Sequence, residues 1–215
     1  MKLLKEDNLR KGFFEREQFD AVHRHLRAPL DHAVTLAYCS GWRMASEILT
    51  LEWHQIDRSA GVIRLEPGTT KNREGPTFQY RDLVEVRGAI DALSARDEAL
   101  KAKDIIAPHV FCRGGGQPIK SFYTGWDQAC RAAGCPGRIP HDMRRTAVRN
   151  LNRAGVPETV AMKITGHKTR SVFDRYDITS EEDLAEAARR LQALTGNFGD
   201  NRQETAYFGQ SRLWP

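Results

Sequence analysis

The fold of the carboxy-terminal half is decided by residues 138–176, which read RIPHDMRRTAVRNLNRAGVPETVAMKITGHKTRSVFDRY. Apolar residues recur in this stretch at helical spacing, and Gly155, Pro157 and Gly166 divide it. Glycine commonly ends a helix, whereas proline is favoured in the first turn. We therefore predict one helix that Asp142 caps and Gly155 ends, and a second that runs from Pro157 to Gly166.

The same stretch carries the positive charge of the chain. It contains nine Lys or Arg and three Asp or Glu, whereas all 215 residues together have a net charge of +5. Concentrated basic charge favours a polyanionic partner, and nucleic acid is the commonest one. A solvated basic helix face explains the charge equally well when the charge is considered alone.

The rest of the chain predicts a mainly α protein with a small antiparallel β-sheet, which is an α+β class. Apolar spacing predicts further helices over residues 17–28, 31–40, 45–53, 83–103, about 120–133, and 180–195. A strand at 61–65, followed by turn residues at 67–68 and 72–76, predicts the sheet within residues 61–85. We expect a linker over residues 1–12, one domain over 13–196, and a polar tail over 197–215.

Composition excludes several classes of protein. Hydrophobic residues make up 40% of the chain and charged residues 28%, as in an average soluble protein. No apolar run reaches the roughly 18 residues of a membrane span, and the amino terminus turns acidic before a signal peptide could form. The four cysteines have no zinc-site spacing, which predicts reduced thiols and no metal site. We expect a soluble, cytoplasmic protein.

A set of residues in a fixed order carries the candidate chemistry. Its members are basic residues, histidines and one tyrosine: Arg43, Lys71, His141, Arg144, His167 and Tyr176. Each is unremarkable alone, but Gly-His followed nine residues later by Tyr is expected only about 0.01 times from this composition. The ordered set is therefore much rarer than its parts.

Each residue of the set also has an ordinary structural explanation. Arg43 could simply pair with Glu47 across one helical turn. His141 could belong to a helix cap, and His167 could interact with a helix dipole. Tyr176 could pack in the core, and a lysine in a turn is ordinarily solvated. The ordered pattern, rather than any single residue, favours function.

In this pattern the chain resembles the tyrosine recombinases of the phage-integrase family, over about residues 12–194. The residues that match the family's motifs are, in order, Gly41-Trp42-Arg43, the hairpin Lys71, His141-x-x-Arg144, Gly166-His167 and Tyr176. One position departs from the pattern. Many family members place an acid three residues after the first arginine, whereas Glu47 lies four after Arg43.

The resemblance implies the tyrosine-recombinase catalytic-domain fold and site-specific DNA recombination. Strand cleavage would proceed through a covalent 3′-phosphotyrosine on Tyr176, without a metal, ATP or another cofactor. Arg43 and Arg144 would hold the charge that develops on the phosphate, because guanidinium groups match phosphate geometry and stay charged. The resemblance makes His141 the base that takes the tyrosine proton and His167 a hydrogen-bond partner of the scissile phosphate, while Lys71 would protonate the leaving 5′ oxygen.

The resemblance also predicts partners. Double-stranded DNA attachment sites would be the substrate, and the helix at 180–195 resembles the family segment that packs on a neighbouring subunit, which predicts a homo-oligomer on DNA. Family members usually carry a core-binding domain before the catalytic domain, so the resemblance also predicts a missing amino-terminal core-binding domain. Four further basic residues are candidates for contacts with the DNA backbone or for plain surface: Arg145, Arg149, Lys168 and Arg170.

Three alternatives remain at this point. A non-catalytic DNA-binding module could keep the fold, although binding alone would not need the tyrosine. A type IB topoisomerase-like enzyme would use the same chemistry without strand exchange, although the stretch around Arg43 looks like an integrase. A metal-dependent nuclease would need a cluster of carboxylates, for which the sequence gives no convincing candidate.

Overall fold

A computed structural model describes residues 12–66, 75–176 and 181–195 of the protein. The chain forms two compact units, Met1–Asp177 and Ile178–Pro215. The predicted tail at 197–215 lies outside the described residues, as does nearly all of the predicted linker at 1–12. The proposed single domain over 13–196 stays a prediction.

The predicted class is confirmed, because the described residues are mostly helical and include one small antiparallel sheet. The helices of the first unit are α1 Arg16–Arg24, α2 Leu30–Ser40, α3 Val84–Lys101, α4 Tyr123–Ala132, α5 His141–Arg153, α6 Glu158–Thr165 and α7 Arg170–Phe173. Between α2 and α3 lie a one-turn π-helix, Met44–Ile48, and a 3-10 turn, Trp53–Gln55. The second unit contributes α8, Glu181–Thr195, on which Leu184 and Leu191 are exposed.

Helix α2 forms the centre of the first unit. Seven of its eleven residues are buried, including Ala33, Leu36 and Ala37, and it packs against α1, α3 and α5. Close packing of this kind makes the helix a rigid support. The support matters because α5, which carries two residues of the candidate site, lies directly on it.

The sheet has the order β1-β2-β3, with strands Ile56–Asp57, Val62–Arg64 and Thr77–Gln79. Both pairings are antiparallel, and Ile63 stands opposite Ile56 on one side and Phe78 on the other. The sheet was predicted over 61–85, so β1 was missed. A strand of two residues is too short to show the alternation on which a strand prediction depends.

Two predicted helical features differ from the structure. The helix predicted over 45–53 is instead the π-helix, in which the Arg43 carbonyl accepts a hydrogen bond from the Ile48 N–H at 3.1 Å. Asp142 is not the cap of α5 but its second residue, and its carboxylate accepts the Ile139 N–H at 3.0 Å. Pro140 precedes the helix with φ −57°, which already suits a helical start.

Among the described residues, none of the helices is both long and apolar enough to cross a membrane.

Candidate active site

Five of the six predicted site residues come together in the first unit. Helix α5 carries His141 and Arg144, which share a face because they lie three residues apart. His167 directly follows Gly166 at the end of α6, and Tyr176 lies in the turn after α7. Arg43 precedes the π-helix. The sixth residue, Lys71, lies outside the described residues.

Tyr176 is hydrogen-bonded to His141, with 2.9 Å between the tyrosine Oη and the histidine Nε2. Its ring also lies 4.9 Å from the ring of His167 and 5.8 Å from the guanidinium carbon of Arg144. Burial lowers the pKa of His141, and the positive charges of Arg144, Arg145 and Arg43 lower it further. His141 is therefore held in its neutral form, in which it can accept a proton.

Arg144 is the buried cation of the site, with only 1% of its surface exposed. Its Nη1 donates to the Gly41 carbonyl at 2.8 Å, and its Nε donates to His167 Nε2 at 3.1 Å. Among the described residues, its buried Nη2 has no hydrogen-bond partner. Burial, followed by repulsion from Arg43, lowers the pKa of Arg144 to about 10, which still leaves it charged at neutral pH.

The end of α2 is shaped to receive Arg144. Gly41 ends the helix in the left-handed conformation with φ 71°, and a Cβ built there would stand 3.1 Å from the Ala147 Cβ. Glycine therefore meets both a conformational and a steric demand. The next residue, Trp42, is buried and donates its indole N–H to the Ile164 carbonyl at 2.8 Å. This contact joins the end of α2 to α6.

Arg43 is the exposed cation of the site, with 49% of its side chain accessible. Its Nη1 lies 2.7 Å from Glu47 Oε1, and its backbone N–H donates to Glu47 Oε2 at 2.6 Å. Glu47 Oε2 also lies 4.0 Å from Arg144 Nη1. Glu47, whose role the sequence left open, therefore stands between the two guanidinium groups.

His167 is buried, at 6% exposure, in a position that Gly166 makes possible. Gly166 ends α6 with φ 72°, and a Cβ on it would stand 2.9 Å from the Pro76 Cγ. Both ring nitrogens of His167 already have partners: Thr165 Oγ1 lies 2.6 Å from Nδ1, and Arg144 Nε donates to Nε2. Burial, followed by repulsion from Arg144, Arg43 and His141, lowers the pKa of His167 to about 3. A direct hydrogen bond from His167 to a phosphate stays a prediction.

Two of the four candidate DNA contacts are buried or partly buried in the protein. Arg149 is buried, and it donates to Glu15 at 2.6 Å and to the Phe14 carbonyl at 3.1 Å. It ties the segment before α1 to α5. Arg145 is partly buried, donates to Asp142 at 3.2 Å, and lies 5.9 Å from the centre of the Tyr176 ring. Because Arg149 is buried against Glu15 and Phe14, its contacts do not support a role in DNA binding. DNA binding stays a prediction for Arg149 and for Arg145.

The other two candidate DNA contacts are exposed. Lys168 lines a cleft of about 600 Å³ together with Arg43 and Glu47. Arg170 pairs with Glu158 across 2.9 Å. Their accessible positions suit contacts with a DNA backbone, which stay predictions.

Metal ligands are not grouped in the described residues: no three His, Cys, Asp or Glu side chains within 12–66, 75–176 and 181–195 are arranged to hold an ion. The four cysteines lie within these ranges and are free thiols. The arrangement instead offers a tyrosine hydroxyl, a neutral histidine and two guanidinium groups around one point. Such a set can hold a phosphate while the tyrosine attacks it.

Sequence reasoning missed two parts of the site. The first is the Gly41 carbonyl, which accepts from Arg144, and a backbone acceptor leaves no mark in a sequence. The second is Thr165, which contacts His167 through its hydroxyl. Its signal was present, because a threonine stands directly before the Gly-His pair.

Comparison with known proteins gives a consistent result. The phage integrase family model matches residues 14–182. The virulence plasmid integrase pGP8-D of Chlamydia muridarum (strain MoPn / Nigg) is 30% identical over 163 residues, covering 73% of this chain and 46% of that protein. The integrase of Salmonella phage P22 is 25% identical over 207 residues, covering 91% of this chain and 51% of that protein. The chain thus spans about half the length of these curated relatives.

The fold is also similar to a solved structure. The crystal structure of XerA recombinase matches with a TM-score of 0.68 at 15% identity, covering 84% of this chain and 63% of that one. A likeness at this identity concerns the fold, whereas the family model covers most of the sequence, including His141, Arg144, His167 and Tyr176. The chain belongs to the phage integrase family.

Proposed function

We propose that this chain cleaves and rejoins DNA at specific sites as a tyrosine recombinase, through a covalent 3′-phosphotyrosine intermediate. The observation that carries the proposal is the 2.9 Å contact between Tyr176 Oη and His141 Nε2, made beside the buried Arg144. A tyrosine needs a base to become a nucleophile, because the pKa of a phenol is about 10. Here a neutral histidine is already in hydrogen-bond reach of the hydroxyl.

The first step transfers one proton and replaces one phosphorus–oxygen bond with another. Tyr176 Oη attacks the scissile phosphorus while its proton passes to His141 Nε2. A bond forms between phosphorus and the tyrosine oxygen, and the bond from phosphorus to the 5′ oxygen breaks. Attack by the freed 5′ oxygen on the phosphotyrosine reverses the step, so rejoining needs no ATP. The ester keeps the energy of the original phosphodiester.

Charge on the phosphate oxygens is balanced by the two arginines. Arg144 presents a buried Nη2 that has no partner among the described residues, and a buried donor of this kind is stabilised by an anion. Arg43 brings a second guanidinium from the opposite, exposed side. Two permanently charged guanidinium groups, one of them buried, stabilise the developing charge without a metal ion.

The leaving 5′ oxygen needs a proton to depart. The family resemblance assigns this proton to Lys71, which lies in the sequence between β2 and β3, outside the described residues. The DNA substrate would be a pair of attachment sites, bound by a homo-oligomer of the chain. The names of the matched relatives, which are integrases, support DNA as the substrate.

A nicked-duplex assay tests the proposal. We would incubate the chain with a pool of nicked DNA duplexes, randomised in sequence on both sides of the nick, in EDTA and without ATP. The nick lets the cleaved strand diffuse away and traps the protein on DNA. We expect an adduct that survives denaturing electrophoresis, and sequencing of the trapped DNA identifies the target.

Tyr176→Phe and Tyr123→Phe form the matched pair of variants. Tyr123 is 60% exposed at the start of α4, so its loss should leave adduct formation unchanged, whereas Tyr176→Phe should abolish it. Adducts formed by Tyr176→Phe would contradict the assigned nucleophile. DNA binding without any adduct in the unaltered chain would favour the non-catalytic module, and adducts with relaxation of supercoils but no strand exchange would favour a topoisomerase.

A further inference from the structure

A chain of hydrogen bonds runs from Arg144 to the backbone of α6. Arg144 Nε lies 3.1 Å from His167 Nε2, and His167 Nδ1 lies 2.6 Å from Thr165 Oγ1. Thr165 Oγ1 in turn lies 2.8 Å from the Ala161 carbonyl oxygen. Four groups are thus connected in series, and all four residues are buried.

The donor of each hydrogen bond in this series can be assigned, because the series begins at a guanidinium group and ends at a carbonyl oxygen. A guanidinium can only donate, so His167 Nε2 must carry the lone pair that receives the Arg144 proton. A neutral imidazole then has its proton on Nδ1, which donates to Thr165 Oγ1. The Ala161 carbonyl can only accept, and the threonine hydroxyl donates to it. Every bond in the series therefore points the same way, from Arg144 to Ala161.

The surroundings of His167 favour this neutral form. Arg144 and His141 face it from α5, Arg43 from the start of the π-helix, and the Tyr176 ring from the turn after α7. Burial and these positive charges lower its pKa to about 3, and no carboxylate is among the causes to offset them. Protonation would place a cation against Arg144, so one ring proton remains. The Arg144 donor favours its place on Nδ1, and an acceptor opposite Nδ1 stabilises it there.

Thr165 is suited to be that partner. It is completely buried as the last residue of α6, where its hydroxyl needs hydrogen bonds to be stable. Its methyl group lies 3.2 Å from the point where a Cβ on Gly41 would stand, and the Gly41 carbonyl is the other acceptor of Arg144. Thr165 therefore contacts His167 and packs beside Gly41, the two residues whose acceptors hold the guanidinium.

We propose that Thr165 is a positioning residue of this site: its hydroxyl holds His167 as the Nδ1–H tautomer, and His167 then orients the Arg144 guanidinium toward the phosphate. The inference rests on the proposed function for its effect on cleavage, but not for the tautomer itself. Removal of the hydroxyl frees the ring proton to move to Nε2, where it faces the Arg144 N–H. The guanidinium then loses one of its two fixed contacts.

The variants separate the hydroxyl from the packing. Thr165→Val keeps the shape and removes the hydroxyl, Thr165→Ala removes it in a second way should the first variant not fold, and Thr165→Ser keeps it. Thr35→Val is the matched control, because Thr35 is a buried helical threonine whose hydroxyl also bonds the carbonyl four residues earlier, at 3.0 Å. It lies on α2, and within the described part of the chain no histidine is hydrogen-bonded to its hydroxyl.

Two readouts are compared. The first is the imidazole nitrogen spectrum of the full chain without DNA, with ¹⁵N-labelled histidine and with His167→Gln used for assignment. We expect the Nδ1–H pattern of His167 in the unaltered chain, in Thr165→Ser and in Thr35→Val, and a loss of this pattern in Thr165→Val.

The second readout is the single-turnover rate of adduct formation on nicked DNA. This rate should fall about tenfold in Thr165→Val, the factor expected from one buried hydrogen bond.

Specific results would overturn the inference. An unchanged Nδ1–H pattern in Thr165→Val would show that the hydroxyl does not set the tautomer. A rate for Thr165→Ser as low as that for Thr165→Val, or an equal loss in Thr35→Val, would assign the effect to packing. Absence of adducts from the unaltered chain would refute the proposed function but would leave the spectroscopic test of the tautomer intact.

Discussion

The two arginines of the site are held in opposite ways. Arg144 comes from the first turn of a packed helix, is 1% exposed, and has its Nε and Nη1 each bonded to a fixed acceptor. Arg43 precedes a single π-helical turn, has a half-exposed side chain, and pairs with one carboxylate. One phosphate-binding site is therefore built from one rigid half and one adjustable half.

The difference follows from the cost of moving a charge out of water. A buried guanidinium needs partners for its N–H groups, so the backbone and His167 fix Arg144 before any substrate arrives. An exposed ion pair contributes little to stability, because water already solvates both partners. Arg43 can therefore change its contacts when a phosphate binds, whereas Arg144 cannot do so without loss.

The largest expected effect on the cleavage rate comes from replacing Arg144 or Arg43 with lysine. Lysine has one ammonium group and cannot make the two divergent bonds of Arg144, so Arg144→Lys should lower the single-turnover cleavage rate by about 10³-fold. Lysine at position 43 can still pair with Glu47 and reach a phosphate, so Arg43→Lys should lower the rate only by about 10²-fold. The rates would be measured as adduct formation on nicked DNA.

Arg131→Lys serves as the control for this pair. Arg131 is exposed on α4 and pairs with Asp127 across 2.9 Å, which reproduces the i,i+4 ion pair of Arg43 away from the site. Its rate should match that of the unaltered chain. Equal losses in Arg144→Lys and Arg43→Lys would show that the rigid and adjustable halves do not differ in function.

A smaller effect is expected at Glu47, the carboxylate between the two halves. Glu47→Gln keeps the shape but removes the charge that lies 2.7 Å from Arg43 Nη1 and 4.0 Å from Arg144 Nη1. Without it the two cations repel, and we expect the cleavage rate to fall about tenfold while DNA affinity stays the same or rises. Affinity would be measured by a salt titration of binding.

Glu66→Gln is the matched control for Glu47→Gln. Glu66 lines the same cleft, is 73% exposed, and contacts His54. Its substitution should leave the rate unchanged. A similar fall in both variants would mean that negative charge in the cleft matters in general, and that Glu47 has no special place between the arginines.

The last prediction concerns the stability of the rigid side of the site, measured per pH unit. Because the pKa of His167 is lowered from its ordinary 6.5 to about 3, the unfolded chain binds a proton between these values that the folded chain does not. The free energy of unfolding should therefore fall as pH drops from about 6.5 toward 3, by up to about 1.4 kcal/mol per pH unit from this residue. Above pH 6.5 this residue contributes no pH dependence.

Urea unfolding at several pH values checks this expectation. His167→Gln should show a shallower fall in stability than the unaltered chain, because glutamine does not titrate and its oxygen can still accept from Arg144. His25→Gln is the control, since His25 is exposed before α2, and it should leave the slope unchanged. The same slope in His167→Gln and in the unaltered chain would contradict the low pKa.

Much of the fold and site could be predicted from sequence because its signals are local. The end of α6 at Gly166 was predicted from one glycine, and the structure confirms it. The ordered motif residues identified Arg43, His141, Arg144, His167 and Tyr176 before any coordinates, and the fold brings them together.

Other features depend on contacts that no local pattern reveals. The π-helix at Met44–Ile48 looks like an ordinary helix in sequence, and what distinguishes it is the hydrogen bond from the Ile48 N–H to the carbonyl of Arg43, five residues earlier. Arg149 looks like a DNA contact because it is basic and lies beside the motif. Its pairing with Glu15, 134 residues away in the chain, could not be inferred from spacing.

The sequence by itself determined the helical class, the family and the residue types of the site, because periodicity, glycine and proline positions, and motif order are properties of the chain alone. Only the tertiary structure decided which arginine is buried, which acceptors fix it, and that Thr165 completes the series behind His167. The physical reason is that burial and hydrogen-bond direction depend on groups from distant parts of the chain. A side chain acquires its charge state and its orientation from these neighbours.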